Sequence, residues 1–108
     1  MPELTYLAGP MSSIGPPDYN YPAFMEMAWR LRKAGLAVIN PAELHPADPS
    51  VPWDFYLRRD IPELVKCQRV ILLEGWHISK GAMLEFHIAT ELGMEIVQWF
   101  EVEELLAA

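Results

Sequence analysis

Val70-Ile71-Leu72-Leu73-Glu74-Gly75-Trp76-His77-Ile78-Ser79-Lys80-Gly81-Ala82-Met83-Leu84-Glu85 runs from four apolar residues, through a turn bounded by glycines, into a helical pattern. The apolar run is short and unbroken, which predicts a strand covered on both faces. Beyond the turn, Ala82, Glu85, Ala89 and Leu92 recur at spacings of three, four and three, one face of a helix that stops at Gly93. One member of that inward row is an acid. Burying a lone carboxylate is costly, so such a position needs a partner, a raised pKa or a chemical task. Glu85 is therefore the residue to explain.

The same alternation extends outward. Leu4 to Ala8, Leu36 to Ile39 and Glu95 to Trp99 read as further strands, the second again nearly continuous in apolar character. Phe24, Met27, Ala28 and Leu31 form a helical stripe ended by Lys33-Ala34-Gly35, a basic last turn and a glycine stop. Leu57, Ile61, Leu64 and Val65 form another. The pattern β-α-β-α-β-α-β predicts an α/β fold: a small doubly wound, flavodoxin-like or Rossmann-like parallel sheet of four to five strands, with helices on both faces. Ligands of such sheets bind beyond the carboxyl ends of the strands. Here those ends are residues 9–15, 40–43 and 74–80. The loops 9–22 and 40–53 are long and proline-rich, as expected of stiff pocket walls. The stretch from Glu101 to Leu106 is weakly helical and suited to covering an edge.

At 108 residues one domain is expected, spanning 1–108. Apolar residues make up 52%, which fits a globular chain and not a disordered one. No apolar run approaches a membrane span, and Met1-Pro2-Glu3-Leu4 leads directly into a strand-like segment without a secretory leader. A net charge of −7 argues against a nucleic-acid polymer as partner. The single cysteine, Cys67, excludes an internal disulfide and fits a reducing, cytoplasmic setting. His45, His77 and His87 have no metal-ligand spacing, so neither metal nor cofactor is expected.

Gly9-Pro10-Met11-Ser12-Ser13 follows the first strand but has neither dinucleotide-binding spacing nor a P-loop lysine. Ser79-Lys80-Gly81 opens the third helix, where free N–H groups favour an anion; Ser79 there either caps the helix, contacts a ligand, or does both. Asp60 is a second candidate acid with two readings. Asp60-Ile61-Pro62-Glu63 matches a capping box that would start a helix, or the helix starts near Trp53 and meets an interruption at Pro62. Trp53, Phe55, Tyr56 and Trp76 flank the expected pocket and could stack on a base, though each alone is ordinary packing. Tyr6 falls in an interior strand. Cys67 reads as structural.

Tyr6-Leu7-Ala8-Gly9-Pro10-Met11, Val38-Ile39-Asn40-Pro41-Ala42-Glu43, Asp60, and Ser79-x-Gly81-x-x-x-Glu85 together resemble the nucleoside 2-deoxyribosyltransferase-like superfamily. The nearest likeness is to a phage- and bacteria-borne branch marked by Gly-Trp-x-x-Ser-x-Gly-Ala-x-x-Glu, and it covers essentially the whole chain. The resemblance implies cleavage of the N-glycosidic bond of a nucleoside or nucleotide. Glu85 would be the nucleophile that forms a glycosyl-enzyme, Asp60 the acid that protonates the departing base, and Tyr6 the group orienting the nucleophile. The nucleophile should be ionised and the acid protonated. Gly9, Pro10, Met11, Ser12, Asn40, Trp76, Ser79 and Gly81 would contact the substrate.

Relatives that act on free nucleosides commonly carry an aspartate at the position of Ser79, whereas those acting on 5′-monophosphates resemble this chain. A (2′-deoxy)nucleoside 5′-monophosphate is therefore the expected substrate, with base exchange or simple nucleotide binding as alternatives. Relatives often supply an arginine from the loop that is Met11-Ser12-Ser13-Ile14-Gly15 here, and this loop has none; Lys80, Arg58 or Arg59 would have to replace it. Relatives also assemble as dimers or larger homo-oligomers with shared sites, and the same is expected here.

Overall fold

A computed structural model describes residues 3–48 and 50–107. The Met1-Pro2 start of the chain and the loop proline Pro49 lie outside the described residues. Four strands, β1 (Leu4–Ala8), β2 (Ala37–Ile39), β3 (Arg69–Leu72) and β4 (Glu95–Gln98), form one sheet in the order β2-β1-β3-β4. Every pairing is parallel; Tyr6 stands opposite Ile39 on one side and Val70 on the other. The chain is an α/β domain with a flavodoxin- or Rossmann-like doubly wound sheet. Among the described residues no helix is long and apolar enough to cross a membrane.

Alternate side chains of the strands divide the core in two. Leu7, Ile71 and Val97 pack with Phe24, Ala28 and Leu31 of helix α1 (Tyr21–Lys33) and with Val102 of α4 (Val102–Ala107). Tyr6, Ala8, Val70 and Leu72 pack on the opposite face with Leu64 of α2 (Trp53–Leu64) and Ala89 of α3 (Lys80–Glu91). The predicted α1 stripe thus supplies three fully buried side chains, the two large ones contributing about 1.5–3 kcal/mol each. Gly35 and Gly93 follow α1 and α3 with φ of 95° and 71°, a conformation that costs glycine little. The segment after β4 is a true helix, and Val102 is fully buried beneath it.

Two expectations change. β2 begins at Ala37 and lies at the sheet edge, where its residues stay exposed or half-buried. Its continuous apolar character therefore does not mark an interior strand; β1 occupies the middle instead. Asp60 does not start a helix. α2 begins at Trp53, with Pro52 at its N-cap, and runs through Asp60 and Pro62 to Leu64. Pro62 stands so near the end of α2 that only its last turn loses a backbone bond.

The strand order places the reversal of winding between β1 and β3. From β1 the chain moves outward to β2, then crosses back over β1 to β3. The loops leaving β1 and β3 diverge to opposite faces, and the crevice between them is where such sheets hold ligands. Leu73 comes so close to the end of β1 that a Cβ on Gly9 would stand 2.8 Å from its Cβ. Glycine at position 9 is thus required by the approach of the two strand ends.

Candidate active site

A cleft of about 570 Å³, its open mouth included, lies at that crevice. Glu85 and Asp60 both line it, and each is only 6% exposed. Glu85 is on the inward face of α3, between Ala82 and Ala89. Tyr6, fully buried in β1, donates from its hydroxyl to Glu85 Oε2 at 2.6 Å. Asp60 faces the cleft from α2, and its Oδ1 is 3.2 Å from His45 Nε2. His45 Nδ1 is in turn 2.8 Å from the hydroxyl of Tyr21, the first residue of α1. Two chains of hydrogen bonds therefore converge on one cavity, and each ends in a carboxylate.

Burial sets the electrostatics. Loss of solvent pushes Glu85 up to about 8; the Tyr6 hydroxyl pulls the other way, and the charge of Asp60 adds to the rise. Asp60 is also raised by burial, with His45 and Arg59 opposing. Tyr6 is held well above the usual tyrosine range by burial and by the Glu85 and Asp60 charges. Burial pushes Tyr21 up to about 12, so both tyrosines remain neutral hydrogen-bonding groups. Burial thus works against the ionised state expected of Glu85 as nucleophile. Among the described residues no cation opposes the burial of Glu85, whereas His45 and Arg59 oppose that of Asp60.

Ser79 does what its position at a helix start predicts. It is the N-cap of α3, its Oγ accepting from Ala82 N at 3.2 Å, and it also lines the cleft. Its hydroxyl can still donate to a ligand, as can the N–H groups of Lys80 and Gly81, which a helix start leaves without an intrahelical partner. Gly81 lines the same wall. A Cβ there would make only ordinary contacts, 3.6 Å from Trp53 Nε1 and Leu57 Cδ2. The protein's own packing does not demand glycine at 81; the room it leaves opens on the cleft.

Of the residues expected to touch substrate, Gly9, Met11, Ser12, Ser79 and Gly81 line the cleft with Glu85 and Asp60. Pro10, Asn40 and Trp76 do not. Pro10 is buried behind the wall, its carbonyl accepting from Asn20 Nδ2 at 3.0 Å. Asn40 is a tether: its Oδ1 accepts from Ala42 N, and its Nδ2 donates to Phe24 O. Trp76 turns away, its ring 4.8 Å from that of Phe86 and its Nε1 donating to Gln98. Trp53 and Tyr56 line the cleft, whereas Phe55 does not. Among the basic residues, Lys80 lies 5.5 Å over the ring of Trp53, itself a lining residue of the cleft. Arg58 pairs with Asp54 on the surface and Arg59 donates to Leu44 O. Cys67 is buried against Glu63 O, and its thiol is pushed up to about 11, as an inert structural cysteine requires.

Sequence reasoning missed Tyr21 and His45. Both come from the two proline-rich loops predicted to wall a pocket, but their pairing across 24 positions leaves no local pattern. The available signal was composition: a histidine and two tyrosines inside segments already marked as walls.

Fold and site together define a small parallel α/β domain with a buried pair of carboxylates at the reversal point of its sheet. The chain belongs to the family described as a domain of unknown function, DUF4406, whose model matches residues 3–98. No curated protein matches the chain.

Proposed function

We propose that the protein is an N-glycosidase that cleaves a (2′-deoxy)nucleoside 5′-monophosphate through a covalent intermediate on Glu85. The observation that carries this reading is the convergence of Glu85 and Asp60 on one cleft, the former hydrogen-bonded by Tyr6. In the first step a Glu85 oxygen bonds to the anomeric carbon as the carbon–nitrogen bond breaks. The bond electrons leave with the base, which takes a proton from Asp60. In the second step water attacks the sugar ester, Asp60 takes the proton, and free sugar phosphate departs. Glu85 must be ionised to attack, and the positive charge developing on the sugar favours that state. Ser79 and the start of α3 suit a phosphate, and Lys80, over the ring of the cleft-lining Trp53, adds a cation.

The reading is kin to the nucleoside 2-deoxyribosyltransferase-like superfamily, with a homodimer or larger homo-oligomer in the cytoplasm as its setting. One observation favours the alternative of a non-catalytic nucleotide-binding module: a Glu85 pushed up to about 8 by burial can keep its proton and donate a hydrogen bond to a ligand. Incubation with a panel of ribo- and deoxynucleosides and their monophosphates, reading free base by chromatography, separates the two. Base release that disappears in Glu85→Gln and Glu85→Ala supports the enzyme. Release that survives both substitutions removes Glu85 as nucleophile, and tight binding without turnover favours the module.

A further inference from the structure

The hydroxyl of Tyr21 lies 2.8 Å from His45 Nδ1 and 3.0 Å from the carbonyl oxygen of the same residue. A hydroxyl has one proton, and a carbonyl has none to give. Both contacts are satisfied together only if Tyr21 donates to the His45 carbonyl and accepts from Nδ1–H. The imidazole proton is thereby fixed on Nδ1. Nε2, on the far side of the ring, faces Asp60 Oδ1 at 3.2 Å and Oδ2 at 3.5 Å. With Nδ1 already protonated, that bond requires one further proton, whether it sits on Nε2 or on the carboxyl. His45 is buried, its ring 4.5 Å from that of Tyr56, and Arg59 is the charged neighbour on the Asp60 side. Among the described residues, Tyr21, Tyr56, Asp48, Asp60, Arg59 and, across the cleft, Glu85 are titratable or charged groups around it.

From this geometry we infer that His45 is a positioning residue, set by Tyr21, that retains on Asp60 the proton delivered to the departing base. The inference rests on the N-glycosidase reading for its use, but not for its hydrogen bonding. When the carbon–nitrogen bond breaks, its electrons stay with the base nitrogen and the proton passes there from Asp60. This leaves a carboxylate beside a neutral imidazole. The water that later attacks the sugar ester on Glu85 releases a proton, which returns to the Asp60–His45 pair. Tyr21 thus ties the start of α1 to the acid on α2 by way of a residue in the loop between them.

Two measurements test it. In the substrate-free protein, nitrogen-15 NMR of the His45 ring should show a protonated Nδ1, and Tyr21→Phe should remove that preference. A bare Nδ1 in the unmodified protein overturns the inference whatever the protein's activity. The second compares cleavage of a purine deoxynucleoside 5′-monophosphate with that of its N7-methyl counterpart, whose base departs without being protonated. Read as base released in a single turnover, before water attacks the sugar ester, His45→Gln and Tyr21→Phe should each slow the ordinary nucleotide, His45→Gln by about 100-fold or more, and leave the methylated one nearly unchanged. Equal losses on both nucleotides in both variants reduce His45 to a structural role and overturn the inference. If the unmodified protein cleaves neither nucleotide, the glycosidase reading fails, and the NMR result alone decides where the proton is held.

Discussion

Replacing Glu85 by glutamine should make the protein more stable, and increasingly so as pH rises. The carboxyl has an ordinary value of 4.5 and is pushed to about 8 in the fold, chiefly by burial. Between those values the unfolded chain releases the proton while the folded chain keeps it. The unfolded state therefore binds fewer protons, and native stability falls with pH by about 1.4 kcal/mol per unit over that window. Below pH 4.5 the cost is absent, and above about 8 it levels off. At pH 7 the accumulated penalty comes to about 3 kcal/mol, and glutamine, of the same shape and still able to accept from Tyr6, does not incur it. For a domain of this size that corresponds to a melting temperature higher by on the order of 15 °C. Urea titrations of both proteins at pH 4, 6, 7 and 8.5 measure it directly. The two stabilities should coincide at pH 4 and separate steadily above pH 5. Parallel stability curves, with no gap opening between pH 5 and 8, would refute an uncompensated buried Glu85.

Tyr6→Phe removes the hydrogen bond that pulls Glu85 down, so the pH at which Glu85 ionises should rise. If an ionised Glu85 attacks the sugar, kcat/KM of the unmodified protein climbs tenfold per unit toward about pH 8, and the variant's rising limb lies at higher pH. A rising limb that stays in place shows that Tyr6 does not tune Glu85. Ser79→Asp should raise Kd for monophosphates more than for the matching nucleosides, because it sets a carboxylate against the phosphate at the α3 start. Equal changes by calorimetry remove the reason for a phosphorylated substrate. Gly9→Ala and Gly81→Ala should separate packing from binding. The first meets Leu73 at 2.8 Å and should cost about 1–3 kcal/mol in denaturation. The second should leave stability unchanged or raised by up to about 1 kcal/mol while weakening nucleotide binding, since the added methyl occupies ligand space.

The sheet and its helices were legible because each buries a stripe whose period survives in sequence. Leu7, Ile71 and Val97 alternate with Tyr6, Val70 and Leu72, while Phe24, Ala28 and Leu31 repeat at helical spacing. Glu85 was legible for the inverse reason, as the one charge in an otherwise apolar row. Asp60 was ambiguous because a proline two residues later suits either the first or the last turn of a helix, and only tertiary contacts select between them. His45 and Tyr21 were hidden because their bond joins an α1 terminus to a loop, which no periodicity records. Trp76 misled: being at the end of a strand says nothing about which way a ring turns, and Phe86 and Gln98 turned it away from the cleft.

The two hydrogen-bonded chains that end at Glu85 and Asp60 draw on β1, α3, α1, the loop after β2, and α2. No contiguous stretch contains either chain, and the Tyr6–Glu85 bond spans 79 positions. A compact but loosely packed state of this polypeptide would keep its helices and lose both. Any reactivity of the cleft is therefore an all-or-none readout of correct assembly, more exacting than a circular dichroism spectrum. By the same logic, no excised peptide carries it, and a designer wishing to graft this pair elsewhere would have to move the architecture with it.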